Sequence, residues 1–211
     1  MSVLATGEVQ KRMRLNILRP ESLVITPLLE KKRVLDADSI DLRLGCYFLL
    51  PNSQQPFFCP DEHSAKSVQS RVHIPLGKYL VVPAHQTVLG VTLEFIKLPY
   101  DVSGQILTKS SVARTFIVVE TAPWIHPCYR GCLTLEIANV SNTPVLLYPG
   151  RLIAQLILTQ VRPKPVRRDV LQGSYLGPIY PEAPVFDNPK KDLAGIGIRS
   201  VWTFKPPKRE T

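Results

Sequence analysis

Five stretches of the chain are rich in Val, Ile, Leu and Thr and are mostly closed off by Pro, Gly or Asn: Ile40 to Leu50, Tyr79 to Val82, Thr87 to Phe95, Cys132 to Val140 and Leu152 to Val161. Runs of this length and content predict β-strands, and short strands at this spacing predict a sandwich or barrel. Within Cys132 to Val140, alternation places Leu133, Leu135 and Ile137 on one face and Thr134, Glu136 and Ala138 on the other. One face builds core; the other presents a carboxylate. Asp41 and Arg43 alternate in the same way with Leu42 and Leu44, so they share one face of a strand ending at Gly45.

Helix is scarce in this pattern. Twenty prolines leave few stretches in which a long helix can run, because an interior proline removes a backbone donor and collides with the preceding turn. The clearest candidate runs from Ser110 or Ser111 through about Phe116, with a serine as N-cap, and an earlier turn of helix involves Glu21 to Leu23. The fold expected is all-β with a few short helices. After Val161 the composition turns to Arg-Pro-Lys-Pro-Val-Arg-Arg and then to Gly, Pro and Tyr, an extended arm without a core of its own. The expected division is a β core over residues 1–161, including an N-terminal extension, and an arm over 162–211.

Composition narrows the class. An apolar fraction of 45% with 20% charged residues is that of a globular protein, and no apolar run approaches the ~20 residues of a membrane span. The start of the chain carries Lys11, Arg12 and Arg14 without a following apolar segment, so a cytoplasmic location is expected, with no membrane partner. Four irregularly spaced cysteines do not make a secreted disulfide framework. The formal charge of +9 favours polyanionic partners, among them nucleic acid, anionic lipid and phosphorylated small molecules. Charge alone does not choose among these, and much of it lies in terminal runs that ordinarily mark solvated surface.

Four ordered stretches carry a resemblance. Ser22-Leu-Val-Ile-Thr-Pro27 leads to Asp38-Ser-Ile-Asp-Leu-Arg-Leu-Gly45; then come Lys109-Ser-Ser-Val-Ala-Arg114, Thr121-Ala-Pro-Trp-Ile-His-Pro-Cys-Tyr-Arg-Gly131 with Leu135-Glu136, and Pro149-Gly-Arg-Leu-Ile-Ala-Gln-Leu156. Together they resemble the superfamily of deoxycytidine triphosphate deaminases and trimeric deoxyuridine triphosphatases, in its deaminase branch. The resemblance implies a distorted β-barrel or jelly-roll subunit in a homotrimer, a deoxynucleoside triphosphate as substrate, and no nucleic-acid partner. It implies hydrolytic deamination of deoxycytidine triphosphate to deoxyuridine triphosphate and ammonia. The alternatives are a triphosphatase, alone or combined with the deaminase, and a catalytically degenerate nucleotide-binding or regulatory module.

The resemblance also assigns residues. Glu136, Ser110 and Arg114 are the implied catalytic set. Glu136 takes protons from the attacking water and delivers them in turn to the base and the leaving ammonia, helped by partial desolvation inside Leu133 to Ile137; Ser110 helps hold the water. The implied substrate contacts are Lys109, Ser110, Ser111, Thr121, Ala122, His126, Tyr129, Gln155 and Tyr175. Lys109 and the serines offer a cation, hydroxyls and free backbone N–H groups to phosphate, with lysine standing where the family usually has a bidentate arginine. His126 stands where the family usually has aspartate, and in its neutral form it accepts a hydroxyl hydrogen bond without carrying negative charge. Tyr129 is either a ring against deoxyribose or a packed strand-end aromatic, and Gln155 either a phosphate contact or a satisfied interior amide. Asp41 and Arg43 are expected to support the site structurally. Magnesium is expected only on the substrate's phosphates. No zinc is expected, since the His-x-Glu of zinc deaminases is absent and Cys128 and Cys132 are separated by three residues; a structural zinc on His126, Cys128 and Cys132 lacks an evident fourth ligand.

Overall fold

The computed structural model describes residues 2–31, 35–36, 38–51, 69–120, 123–162 and 177–182. Fourteen named strands and two helices occur among them: β1 (Ser2–Val3), α1 (Thr6–Met13), β2 (Val24–Thr26), β3 (Leu35–Asp36), β4 (Ser39–Arg43), β5 (Tyr47–Pro51), β6 (Gln69–His73), β7 (Leu80–Val82), β8 (Thr87–Lys97), β9 (Val102–Thr108), α2 (Ser110–Ala113), β10 (Ile117–Glu120), β11 (Trp124–Ile125), β12 (Arg130–Asn139), β13 (Val145–Leu147) and β14 (Leu152–Gln160). The all-β expectation holds. One sheet has the order β11-β9-β14-β4-β3 with β1 on β14, a second has β10-β12-β8-β5-β6 with β2 on β8, and β13 pairs with β7. The sheets do not close into a barrel. Between the two large sheets, β4 and β8 are joined among the described residues by an isolated Leu44 to Thr92 bridge next to Gly45 rather than by a ladder, so no continuous hydrogen-bonded circuit forms.

One core cluster draws on both sheets, with Leu42, Ile106, Leu156 and Leu158 from the first and Phe48, Ile96, Leu135 and Ile137 from the second. Each such side chain contributes roughly 1.5–3 kcal/mol by leaving water. The alternation expected in β12 is observed for Leu133, Leu135 and Ile137, which are buried, and for Glu136, which is exposed. Ala138 departs from it: expected outward, it is buried, opposite Val118 of β10.

The run Ile40 to Leu50 is two strands in different sheets. The break falls at Gly45, whose N–H donates to Val91 O at 2.7 Å and whose position leaves a Cβ only 2.9 Å from that oxygen. A side chain does not fit, so the backbone crosses there between sheets. Glu21 to Leu23 forms a hydrogen-bonded turn leading into β2 rather than helix, with the Ser22 hydroxyl donating to Ile17 O and Arg19 O. The helix not read from the sequence is α1. Its Arg12 guanidinium makes a buried double contact with Asp101 at 2.8 and 3.1 Å. Lys97 completes this N-terminal clamp, donating to Ile17 O, Arg19 O and Ser22 Oγ at 2.6, 3.1 and 2.5 Å; burial, with Arg130 nearby, pulls its pKa down.

Candidate active site

The centre of the site is where β9 gives way to α2. Lys109 N–H donates to Ile153 O at 3.0 Å, so the β9–β14 ladder reaches one residue past the strand and holds Lys109 extended at φ −61 and ψ 131. Lys109 therefore takes the cap position, and Ser110 is the first helical residue. The serine N-cap expected from the sequence is displaced by this strand pairing, and no side chain caps the helix. The helix is also shorter than expected. It ends at Ala113 with Arg114 as C-cap, and two further turn bonds carry the chain to Phe116 at φ +62. Arg114 N–H donates to Ser110 O, so the two stand one turn apart as expected; Ser110, Ser111 and Arg114 are all exposed.

Beneath α2 the first, second and fourth motifs meet at one carboxylate. Asp41 lies directly opposite Gln155 in the β4–β14 pairing. Its Oδ2 accepts from Lys109 Nζ at 2.6 Å and its Oδ1 from Gln155 Nε2 at 3.2 Å. Adjacent strands β4, β14 and β9 put these three side chains together. Arg43, two residues on, spans Gly150 O at 3.0 Å and Glu30 Oε2 at 2.6 Å, as a buttress.

Glu136 is reached from the other sheet. The Thr108 hydroxyl accepts from Val119 N–H at 2.8 Å and donates to Val119 O at 3.3 Å, tying the end of β9 to β10. Val119 in turn pairs with Ile137, and Glu120 with Glu136, across β10 and β12. The start of the Lys109 segment is thus one strand removed from Glu136. Leu135 and Ile137 point inward and leave Glu136 exposed on the opposite face of the single chain.

The third motif forms a tight turn after β11. His126 is exposed, and its carbonyl accepts from Tyr129 N–H at 3.3 Å. Tyr129 packs against the core, and its hydroxyl donates to Cys132 O at 2.9 Å. Burial pushes that phenol's pKa up. The Tyr129 hydroxyl thus has an internal partner. Gln155 likewise has an internal partner in Asp41. Thr121, Ala122 and Tyr175 lie outside the described residues. No group of three or more His, Cys, Asp or Glu that could hold a metal ion occurs among the described residues, so His126, Cys128 and Cys132 do not form one.

Two features escaped the sequence reading. Residues 177–182 lie along the part of β12 that β10 leaves unpaired. Gly177 N–H donates to Arg130 O at 2.6 Å, Cys132 N–H to Pro178 O at 2.7 Å and Glu182 N–H to Thr134 Oγ1 at 3.2 Å. The segment advances in the same direction as β12, toward Glu136. Tyr180 anchors it, edge-on to Tyr47 at 4.7 Å and under the Arg71 guanidinium at 4.9 Å. The other feature is Glu94, 3% exposed, whose carboxylate accepts from Arg43 N–H at 2.9 Å. Burial pushes its pKa up to about 7, against the pull of that hydrogen bond and of the Arg43 charge. A glutamate inside the apolar run Thr87 to Phe95 was the available signal.

Comparison with known proteins places the arrangement. A family model described as "DCD: dCTP deaminase-like" matches residues 4–161. A protein of Dictyoglomus thermophilum named "dCTP deaminase, dUMP-forming" is 34% identical over 141 residues, covering 66% of this chain and 73% of its own. One of the same name from Methanosphaera stadtmanae is 29% identical over 188 residues, covering 86% and 92%. Among solved structures, the 2′-deoxycytidine 5′-triphosphate deaminase of Agrobacterium tumefaciens superposes with a TM-score of 0.55 at 22% identity, over 74% of this chain and 47% of that one, a likeness of fold.

Proposed function

Because the chain belongs to the dCTP deaminase-like family, we propose that it hydrolyses the 4-amino group of deoxycytidine triphosphate, releasing ammonia. The family match over residues 4–161 is the observation that carries this reading.

In the proposed reaction, water adds to C4 of cytosine while Glu136 takes its proton. Glu136 passes that proton to ring N3, then takes the second proton from the new C4 hydroxyl and gives it to the 4-amino group, and the tetrahedral centre collapses with C–N cleavage to deoxyuridine triphosphate and ammonia. Ser110 helps hold the water, and Arg114 lies on the same helical turn. The phosphates enter with their Mg²⁺ at the start of α2, where Lys109, Ser110 and Ser111 gather. His126 takes the sugar hydroxyl.

We further propose a homotrimer acting in the cytoplasm. Glu136 is exposed in the single chain, and an acid–base group gains from exclusion of water; a neighbouring subunit would supply that cover. Exposed Leu107, Phe116 and Trp124, in the segments around Lys109, are surface such a neighbour would bury. No helix among the described residues is long and apolar enough to cross a membrane.

One observation favours a second step. The relatives from Dictyoglomus and Methanosphaera carry "dUMP-forming" in their names, which supports the combined deaminase and triphosphatase over a reaction ending at deoxyuridine triphosphate. In that step a second water attacks the phosphate chain, giving deoxyuridine monophosphate and pyrophosphate. Incubation with each pyrimidine deoxynucleoside triphosphate and Mg²⁺, followed by chromatography, tests both. Ammonia with deoxyuridine monophosphate supports the combined reaction, and ammonia with the triphosphate the single one. Binding without turnover favours the regulatory module instead.

A further inference from the structure

We propose that Asp41 is a positioning residue for the phosphate chain: it fixes the Lys109 ammonium and the Gln155 amide in one arrangement at the start of α2, each with donors left for a bound triphosphate. The inference rests on the reading of the substrate as a nucleoside triphosphate.

Asp41 is 6% exposed, and its two carboxylate oxygens are divided between Lys109 at 2.6 Å and Gln155 at 3.2 Å. The lysine side chain is 25% exposed against 7% for the aspartate, so the pair sits at the rim of the buried layer. A lysine is a point charge on a flexible stem, without the rigid fork by which arginine orients itself on phosphate. Its ammonium has three donors, of which the Asp41 bond uses one. The Gln155 amide has two and uses one in the same way. Pulling the ammonium away would leave a nearly buried carboxylate without its cation, which is costly. The lysine therefore meets the phosphate while still held by Asp41, and the carboxylate supplies the orientation that an arginine carries in its own geometry. The strand register enforces this, since Asp41 and Gln155 are paired residues and Lys109 N–H is bonded to Ile153.

The test is titration calorimetry in the Glu136→Gln background with Mg²⁺, comparing deoxycytidine triphosphate with the monophosphate. Asp41→Asn is expected to weaken the triphosphate about tenfold or more while the monophosphate changes less than about twofold. Lys109→Met is expected to weaken it similarly, and adding it to Asp41→Asn to cost nothing further, because both act through one contact. Equal loss for the two nucleotides, additive penalties or unchanged triphosphate affinity would overturn the proposal. Asp41→Glu, which keeps the charge but moves it by a methylene, covers the case in which Asp41→Asn does not fold. Its triphosphate binding is also expected to weaken, and a parental value would overturn the proposal. A parent chain that binds triphosphate without deaminating it refutes the proposed reaction and leaves this inference standing; one that binds no triphosphate refutes both.

Discussion

A Cβ at Gly131 would lie 2.5 Å from Pro178 Cδ and within 3 Å of the Pro178 backbone, so the docked segment 177–182 depends on a glycine at that point of β12. Gly131 also has φ +143, a conformation that residues with side chains rarely adopt. Gly131→Ala is expected to displace the segment while leaving the β core folded. Hydrogen exchange at the Gly177 amide reads this directly, because that group donates to Arg130 O in the docked state. Undiminished protection would show that the alanine is accommodated elsewhere.

Glu94 links stability to pH. Its folded-state value near 7 lies above the ordinary 4.5, so between these the folded protein holds a proton that the unfolded chain has released. The contribution is full below pH 4.5 and is lost as pH rises through 7, by about 3 kcal/mol at ~1.4 kcal/mol per unit. Glu94→Gln removes the charge and keeps an acceptor for Arg43 N–H. The variant is expected to exceed the parent in urea stability at pH 8 by more than it does at pH 5. An equal difference at both would mean that Glu94 does not titrate in this window.

The Arg12 to Asp101 pair pins α1 to the β8–β9 turn through two buried hydrogen bonds. Asp101→Ala leaves the guanidinium with only the half-exposed Glu8 carboxylate, at 3.3 Å, and a loss of about 3 kcal/mol in urea unfolding is expected. Replacing both residues with apolar ones should recover part of it, because the cost lies in the stranded charge. A loss below about 1 kcal/mol would place the pair with ordinary surface ion pairs.

Glu136→Gln is expected to abolish deamination and to leave triphosphate binding near parental, since an amide keeps the shape and cannot shuttle a proton. Steady-state turnover with product chromatography measures the first, calorimetry the second. Substantial ammonia release would remove Glu136 from the role proposed for it.

Alternation and turn residues were enough to read the class of the fold and the inward Leu133, Leu135 and Ile137, because each of these is set by neighbours along the chain. The break at Gly45 was not legible as such: glycine is common at strand ends, and only the approach of Val91 shows that the chain must change sheets there. The N-cap was misread for a related reason. Local rules favour serine, and the β14 carbonyl of Ile153 holds Lys109 extended instead.

The sequence by itself determined which chemical groups the protein owns and which strands can form. Tertiary structure decided what each group faces. Gln155 and Lys109 turn to Asp41 because β4, β14 and β9 lie side by side, and Glu94 shifts toward neutrality because its strand runs through the core. Glu136 is exposed in the single chain because its side chain points away from that core. Side-chain electrostatics depends on distance and solvent exposure, and both are fixed by residues far apart in the chain.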